Sequence, residues 1–330
     1  MEKKRRYLEF EKDLASLDEE IQRLKDLKLD SSVDISSEIR RLESKAQSFL
    51  EANTKKLTAY QKIQISRHPD RPNFLEYVGL IFDEFIELKG DRKFRDDPAL
   101  VGGLASLEGQ SVMIVGHQKG RSTSENVHRN FGMPRPEGYR KALRLFELAE
   151  HWSLPLLTFV DTPGAYPGMD AEERGQSEAI AQNILRMASL KVPILSVVTG
   201  EGGSGGALAI AVCNRLLMMQ YSTYSVISPE GCAAITWKDP RFTEDAAEAL
   251  KLTAEDLQAQ GLCDYLIKEP LGGAHRHPIQ AAKALKEALV KELSQLKTSP
   301  LEEILESRFQ KYRAIGCFGE ERKPKLGQSA

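Results

Sequence analysis

The chain has 330 residues, with 46 lysine and arginine residues against 48 aspartate and glutamate residues and a formal net charge of −2. This balance excludes the strongly basic surface typical of nucleic-acid-binding proteins, so we expect no nucleic acid as a primary partner. No apolar run approaches the roughly 18 residues that a membrane-spanning helix needs. The N-terminus lacks the apolar segment of a signal peptide and carries acidic residues, which argues against a transit peptide. We therefore expect neither a membrane span nor export.

The four cysteines are far apart and form no C-x-x-C pair, which excludes a zinc ribbon and a dense disulfide framework. They are Cys213, Cys232, Cys263 and Cys317. Reduced thiols in a cytosol-like compartment are the simplest interpretation. The segment His275-Arg276-His277 is too short to indicate a metal site, so we expect no metal bound by this chain.

Residues 1–65 contain no glycine and no proline and are rich in charged residues, which favours helix. Two sets of apolar residues recur at spacings of three and four: Leu14, Leu17, Ile21 and Leu24, then Ile35, Ile39, Leu42, Ala46 and Phe49. Between them, Ser31 and Asp34 form a candidate capping box. The pattern predicts a charged N-terminal helical hairpin over 1–65. Its stripes either pack on each other or bind another chain.

From residue 66 the sequence alternates apolar runs, turn residues and helical patterns, which indicates α/β layers. After a turn at 68–73 we predict a helix at 74–88 and a β-hairpin of strands 101–107 and 111–117. The following predictions are helix 138–151, strand 154–160, loop 161–168, helix 171–190, strand 193–198, loop 200–206 and helix 207–213. Residues 241–297 are predicted to be mostly helical, with a short strand near 263–267. We divide the chain at 65/66 and 298/299, and expect the last part, 299–330, to be a C-terminal helix and a disordered polar tail.

The loop at 200–206, GEGGSGG, has five glycines in seven residues, which lets the backbone approach a ligand closely with its N–H groups exposed. It lacks the lysine of a phosphate-binding P-loop, and Gly200, Gly202 and Gly205 give only a weak dinucleotide fingerprint. The loop also matches G-x-S-x-G, so a serine hydrolase with Ser204, Asp264 and His275 is the alternative function. A plain structural turn is a further alternative. An oxyanion-binding loop with main-chain donors fits the composition best.

The loop at 161–168, DTPGAYPG, also follows a buried strand, at the strand end where ligands of α/β proteins bind. Its proline and glycine residues are ordinary turn chemistry if taken alone. Two such loops on consecutive strands favour a shared pocket. Basic residues crowd the segment 121–144, where they form either a solvated face or a site for phosphate or carboxylate groups.

Seven segments in register resemble the carboxyltransferase alpha subunits of the multi-subunit acetyl-CoA carboxylases of bacteria and plastids. They are RNFGMPRPEGYRKALRL (129–145), DTPGAYPG (161–168), AEERGQSEAIA (171–181), GEGGSGGALA (200–209), STYSVISPEGCA (222–233), EALKLTAEDL (248–257) and EPLGGAHR (269–276). The resemblance covers roughly residues 1–315.

The resemblance implies a crotonase-like fold, a superhelix of repeated ββα units, over 66–298. It implies an enzyme that transfers a carboxyl group from carboxybiotin, on a separate biotin carboxyl carrier protein, to acetyl-CoA, giving malonyl-CoA for fatty-acid synthesis. It also implies a zinc-ribbon beta subunit that supplies most of the acetyl-CoA half of the site, an α2β2 assembly, and a biotin carboxylase that consumes the ATP. Cytoplasm or plastid stroma is the expected compartment, and the isolated chain is expected to be inactive.

Negative charge builds on the ureido oxygen of biotin as its N–CO2 bond breaks, and preorganised N–H donors lower that barrier. Our hypothesis is that the backbone amides of Gly205 and Gly206 form this oxyanion hole. Gly164 and Ala165 would shape its wall, and Gly202, Gly203 and Ser204 would complete the biotin-binding surface.

Overall fold

The structure, a computed structural model, describes residues 5–30 and 35–316, with side chains described for 5–27 and 35–316. Predictions for Ser31, Asp34, Cys317 and the polar tail lie outside these residues. The first helices are α1 (Lys12–Asp30), α2 (Ser36–Thr54), α3 (Ala59–Ser66) and α4 (Phe74–Ile81).

The helices α1 and α2 lie side by side, joined by the ion pair of Lys25 and Glu43 at 2.7 Å. Their apolar stripes face each other, since one cluster contains Leu14, Leu17, Ile21, Ile39, Leu42 and Ala46, with Leu24, Ile35 and Phe49 packed against it. The two predicted helices and their stripes are therefore confirmed, and the stripes are buried within the chain. The proposed division of the chain into domains stays a prediction.

One mixed sheet organises the rest of the described chain. Its strands are β1 (Glu84–Glu87), β2 (Leu100–Leu107), β3 (Gln110–His117), β4 (Leu156–Thr162), β5 (Ile194–Gly203), β6 (Arg215–Met219), β7 (Thr223–Ser225) and β8 (Tyr265–Ile267). The spatial order is β1-β2-β3-β4-β5-β6-β8, with β7 paired to the end of β5. The strands β1, β2 and β3 are antiparallel, whereas β3, β4, β5, β6 and β8 run parallel.

Helices cover both faces of this sheet, and the apolar core consists of two large clusters. They are α5 (Thr123–His128), α6 (Pro136–His151), α7 (Met169–Glu173), α8 (Gln176–Ser189), α9 (Ser204–Leu208), α10 (Pro229–Thr236), α11 (Thr243–Leu250), α12 (Ala254–Ala259), α13 (Pro278–Lys297) and α14 (Leu301–Arg313). Short 3-10 turns lie at Glu9–Glu11, Asn130–Gly132 and Pro240–Phe242. Within the described ranges, none of the helices has the length and apolarity needed to cross a bilayer.

The predicted helix at 74–88 is wrong beyond Ile81. Phe82 is extended, and β1 pairs along the edge of β2. Gly103 on β2 permits this approach, because a Cβ there would lie 2.0 Å from the carbonyl oxygen of Ile86. Sheet pairing thus decides the conformation of a segment whose sequence alone favours a longer helix.

The predicted helix at 171–190 is two helices, α7 and α8, separated at Gly175, whose φ of +82° suits glycine. The predicted loop at 200–206 is also shorter than expected. The strand β5 continues to Gly203, because Glu201, Gly202 and Gly203 pair with β7, and α9 begins immediately at Ser204. The expected helix at 207–213 is thus wrong, since α9 ends at Leu208.

Candidate active site at the carboxyl ends of three parallel strands

The two glycine-containing segments predicted to share a pocket meet at one edge of the sheet. The parallel strands β3, β4 and β5 end there, so the residues that follow them are brought together. A register shift between Val160 and Thr162 pairs Thr162 with Gly202. This places the turn at Pro163 directly beside the end of β5.

Missing side chains allow the contact between the two segments. A Cβ on Gly203 would lie 2.1 Å from the carbonyl oxygen of Pro163, and a Cβ on Gly206 would lie 2.3 Å from the backbone nitrogen of Ala165. Contacts this short are not tolerated against backbone atoms. In contrast, a Cβ on Gly205 would meet only the Ile180 side chain, at 3.8 Å. Gly203 and Gly206 are therefore required for the approach, whereas Gly205 is not.

The backbone amides of the predicted hole differ in availability. Gly164, with φ of +151°, donates its N–H to the Thr162 hydroxyl at 3.1 Å, and that hydroxyl donates to the Gly164 carbonyl at 2.8 Å. Gly164 can therefore form a wall but supplies no free donor. Gly205 and Gly206 lie in the first turn of α9, where backbone amides have no partner in a preceding turn.

A buried carboxylate joins the ends of all three strands, and we did not identify it from the sequence. Asp161 accepts a hydrogen bond from the Lys119 ammonium at 2.6 Å and from the Glu201 amide at 3.0 Å. A Cβ on Gly200 would lie 2.4 Å from the same carboxylate oxygen. Its position, directly after a run of apolar strand residues, is the sequence signal that could have found it.

The basic side chains of segment 121–144 make their contacts within the protein. Its residues pair with acidic groups or donate to backbone carbonyls: Arg121 with Glu76, Arg129 with Glu125, Arg140 with Asp91, Lys141 with Asp96, and Arg144 with the carbonyl of Leu88. Arg135 lies over the Tyr166 ring, 4.5 Å from its centroid. These contacts fasten α6 and its neighbours around the site.

The serine-hydrolase alternative is wrong. Ser204 has φ of +52° and is exposed, as in a nucleophile elbow, but its expected partners lie elsewhere. Asp264 precedes β8 at the opposite edge of the sheet, where it accepts from the Leu216 amide and pairs with Lys311. His275 stacks on His68, with ring centroids 4.1 Å apart.

Glu11, His68 and His275 form a second titratable cluster, with donor atoms within 4.8 Å of one another. His275 Nε2 lies 3.7 Å from Glu11 Oε1. His68 Nδ1 accepts a hydrogen bond from the Asp70 amide, so that nitrogen is already occupied. Burial, assisted by His275, lowers the pKa of His68 to about 4.

Comparison with known families gives the site its context. The profile of the family described as "Acetyl co-enzyme A carboxylase carboxyltransferase-like" matches residues 7–316. The chain belongs to this family. It is 55% identical over 315 residues to the acetyl-coenzyme A carboxylase carboxyl transferase subunit alpha of Methylococcus capsulatus, covering 96% of this chain and 98% of the relative. The corresponding subunit of Geobacter metallireducens is 56% identical over 313 residues, covering 95% and 98%.

Solved structures confirm the predicted crotonase-like carboxyltransferase fold. The beta subunit of Pseudomonas aeruginosa geranyl-CoA carboxylase superposes with a TM-score of 0.54 at 20% identity, covering 76% of this chain and 46% of that one. The transcarboxylase 12S core superposes with a TM-score of 0.53 at 21% identity, covering 66% and 40%. Membership of the acetyl-CoA carboxylase family places this chain among the alpha-type carboxyltransferase subunits.

Proposed function

We propose that this alpha-type subunit transfers the carboxyl group of carboxybiotin, held on a separate carrier protein, to acetyl-CoA, giving malonyl-CoA. Membership of the family supports the reaction class. The observation that carries the assignment to this edge of the sheet is the contact of Gly206 with Ala165, which leaves a side-chain-free surface beside the first turn of α9.

The chain's own contribution is the stabilisation of charge. As the N–CO2 bond of the substrate breaks, the amides of Gly205 and Gly206 donate to the ureido oxygen on which negative charge develops. Losing one such donor typically costs about 2.7–4 kcal/mol of transition-state stabilisation. Gly164 and Ala165 form the adjoining wall, and Gly202, Gly203 and Ser204 complete the surface that the biotin ring contacts.

The proton and electron balance needs no side-chain base from this chain. The biotin nitrogen that loses the carboxyl group takes a proton from the acetyl Cα. The resulting thioester enolate attacks the released CO2, forming the new carbon–carbon bond of malonyl-CoA. In support of this route, His275 stacks on His68, and His117 at the end of β3 is fully buried.

The partners follow from the same chemistry. A carboxylated carrier must be supplied by a biotin carboxylase, and the acetyl-CoA half of the site must come from a beta subunit, in an α2β2 assembly. Free CO2 would escape from a site open to water, so we expect the partner to close it.

Reconstitution tests the proposal. The chain and a matched beta subunit are produced separately and together, and carboxyl transfer is measured with carboxylated carrier and acetyl-CoA. We expect activity only from the complex, with Ser204→Ala retaining it because only the backbone of that residue is needed. Robust malonyl-CoA formation by the alpha chain alone, or none by the complex, would contradict the proposal.

A further inference from the structure

Two buried polar side chains approach the Gly206 backbone from within the protein. They are His117, the last residue of β3, and Tyr139, on the first turn of α6. Each is 0% exposed. Neither the Tyr139 hydroxyl nor either ring nitrogen of His117 has a hydrogen bond of regular geometry to any residue between 5–30 and 35–316. Polar groups buried this deeply ordinarily have a partner, so both call for an explanation.

The Tyr139 hydroxyl borders the closest contact between the two loops. It lies 2.9 Å from the point that a Cβ on Gly206 would occupy, and the Ala165 nitrogen lies 2.3 Å from the same point. The ring is held in a small cluster with Ala165, Ala179, Ile180 and Ala209. The Tyr139 hydroxyl and the Ala165 nitrogen therefore both border the Cβ side of Gly206 and limit how far its Cα can move toward them.

His117 is a neighbour of the same residue. Backbone groups of Gly206 and Phe159 are near enough to its ring to raise its pKa, as carbonyl oxygens do, although neither makes a regular hydrogen bond with it. Burial above all lowers the pKa of His117 to about 3, so the imidazole is neutral at working pH. A neutral imidazole has one N–H to donate, and both neighbouring groups are acceptors.

The charge around His117 is compensated by its neighbours. Lys119 and Asp161, which influence the imidazole from the ends of β3 and β4, already form an ion pair at 2.6 Å. His117 thus has no free carboxylate to relay a proton to. Its chemistry is that of a hydrogen-bond donor to a backbone carbonyl.

We propose that His117 and Tyr139 are positioning residues that hold the Gly206 backbone in the orientation its amide needs to stabilise the developing oxyanion. This inference rests on the proposed function. Gly206 has no side chain of its own to restrict it, so the orientation of its peptides depends on external contacts. The buried His117 imidazole, which can donate to the Gly206 carbonyl, and the Tyr139 hydroxyl on the Cβ side of Gly206 supply them. Catalytic hydrogen bonds are often long or poorly aligned in ligand-free structures and tighten only in the substrate complex.

The test uses the alpha–beta complex and measures kcat and KM separately, with the carboxylated carrier as the varied substrate. The variants are His117→Gln, which keeps an N–H donor, His117→Leu, which does not, and Tyr139→Phe, which removes only a hydroxyl. Misplacement by about 1 Å costs up to about 100-fold in rate. We expect a fall in kcat of about 10- to 100-fold for His117→Leu, partial recovery in His117→Gln, a smaller fall for Tyr139→Phe, and little change in KM.

Tyr77→Phe is the matched control. Tyr77 is also 0% exposed, but it lies on α4 and donates to Met219 Sδ at 3.2 Å. We expect this variant to lose stability in a urea titration while keeping its kcat. The inference is overturned if His117→Leu and Tyr139→Phe keep the wild-type kcat, or if Tyr77→Phe lowers kcat equally. An inactive wild-type complex would instead overturn the proposed function, so the two failures are distinguishable.

Discussion

Gly206 and Gly205 are neighbours with opposite steric surroundings, although both belong to the proposed hole. At Gly206 a methyl group would collide with backbone atoms of Gly164 and Ala165, at 2.5 and 2.3 Å. At Gly205 it would make an ordinary contact at 3.8 Å with a side chain that can move. Both alanine variants would retain their backbone N–H, so the pair separates loop geometry from donor chemistry.

We predict that Gly206→Ala lowers kcat for carboxyl transfer by about 100-fold or more, the loss typical of a removed oxyanion donor. Gly205→Ala should lose much less. Steady-state assay of each variant complex gives the rates, and gel filtration with the beta subunit confirms assembly. Equal losses in the two variants would show that the approach of the two loops does not control catalysis. Gly206→Val should act like Gly206→Ala, and more severely.

Buried neutral histidines predict how stability depends on pH. The pKa values of His117 and His68 are lowered by burial to about 3 and about 4, so the unfolded chain binds more protons than the native one below pH 6.5. Their contribution to stability is complete above pH 6.5 and is lost as the pH falls toward the native values. Each histidine contributes up to about 1.4 kcal/mol per pH unit to the slope of the free energy of unfolding in this window.

We therefore predict that the free energy of unfolding falls between pH 6.5 and pH 4.5, as measured by urea titration. His68→Asn should make this fall shallower, because one proton fewer is taken up on unfolding. A wild-type stability that is constant over this window would contradict the assignment.

The sequence predicted the glycine loops but not the side chains beneath them. The loops are contiguous and their composition is unusual, so a short window reveals them. Asp161, Lys119, His117 and Tyr139 come from separate segments, and each is an ordinary residue in its own window. Only the parallel alignment of β3, β4 and β5 and the packing of α6 bring them together.

At the scale of elements, periodicity predicted most helices and strands, and pairing decided the rest. The β-hairpin of β2 and β3, the helix α6 and the strand β4 were found close to their predicted positions. The misassigned segments are β1, the end of β5, the residues that follow α9 and the break between α7 and α8. Each depends on a partner distant in sequence or on the backbone freedom of one glycine, which a local pattern does not contain.

The C-terminal helix α14 carries a buried arginine that binds the body of the protein. Arg308 is 1% exposed and donates to the carbonyls of Met187, Leu190 and Val192 and to the Asn214 side chain. No carboxylate pairs with it among the residues that the structure describes, and burial lowers its pKa to about 10. Its guanidinium thus satisfies the carbonyls at the end of α8 and the turn after it.

We predict that Arg308→Met destabilises the chain by about 3 kcal/mol or more, because several buried carbonyls lose their donor. The neighbouring Phe309 is 56% exposed, and Phe309→Ala should change stability by no more than about 0.5 kcal/mol. Urea titration of both variants measures the difference. A near-neutral Arg308→Met would mean that water replaces the guanidinium and that α14 is held by its apolar contacts.

At the scale of the whole molecule, the sheet directs its loops to one edge, and an exposed apolar surface lies beside them. Val226 is 77% exposed and directly follows Ser225, the register partner of Gly203. Ile235, on α10, is 72% exposed. Further along the chain, the rings of Trp237 and Phe242 stack with their centroids 5.7 Å apart. Exposed apolar groups gathered beside a site typically mark an interface.

We predict that the beta subunit covers this surface, so that Val226→Asp and Ile235→Asp each weaken assembly of the complex. The minority of interface residues that matter most for affinity cluster near its centre and cost more than about 1 kcal/mol when truncated, or roughly fivefold in dissociation constant, and a buried unpaired charge costs more. Leu185→Asp is the control, since Leu185 is equally exposed, at 67%, but lies on α8 toward the opposite edge of the sheet. Sedimentation titration of each variant against the beta subunit measures the dissociation constants. If Val226→Asp and Ile235→Asp bind like wild type while Leu185→Asp does not, the partner contacts the other edge of the sheet. The carrier protein would then have to close the site at the glycine loops.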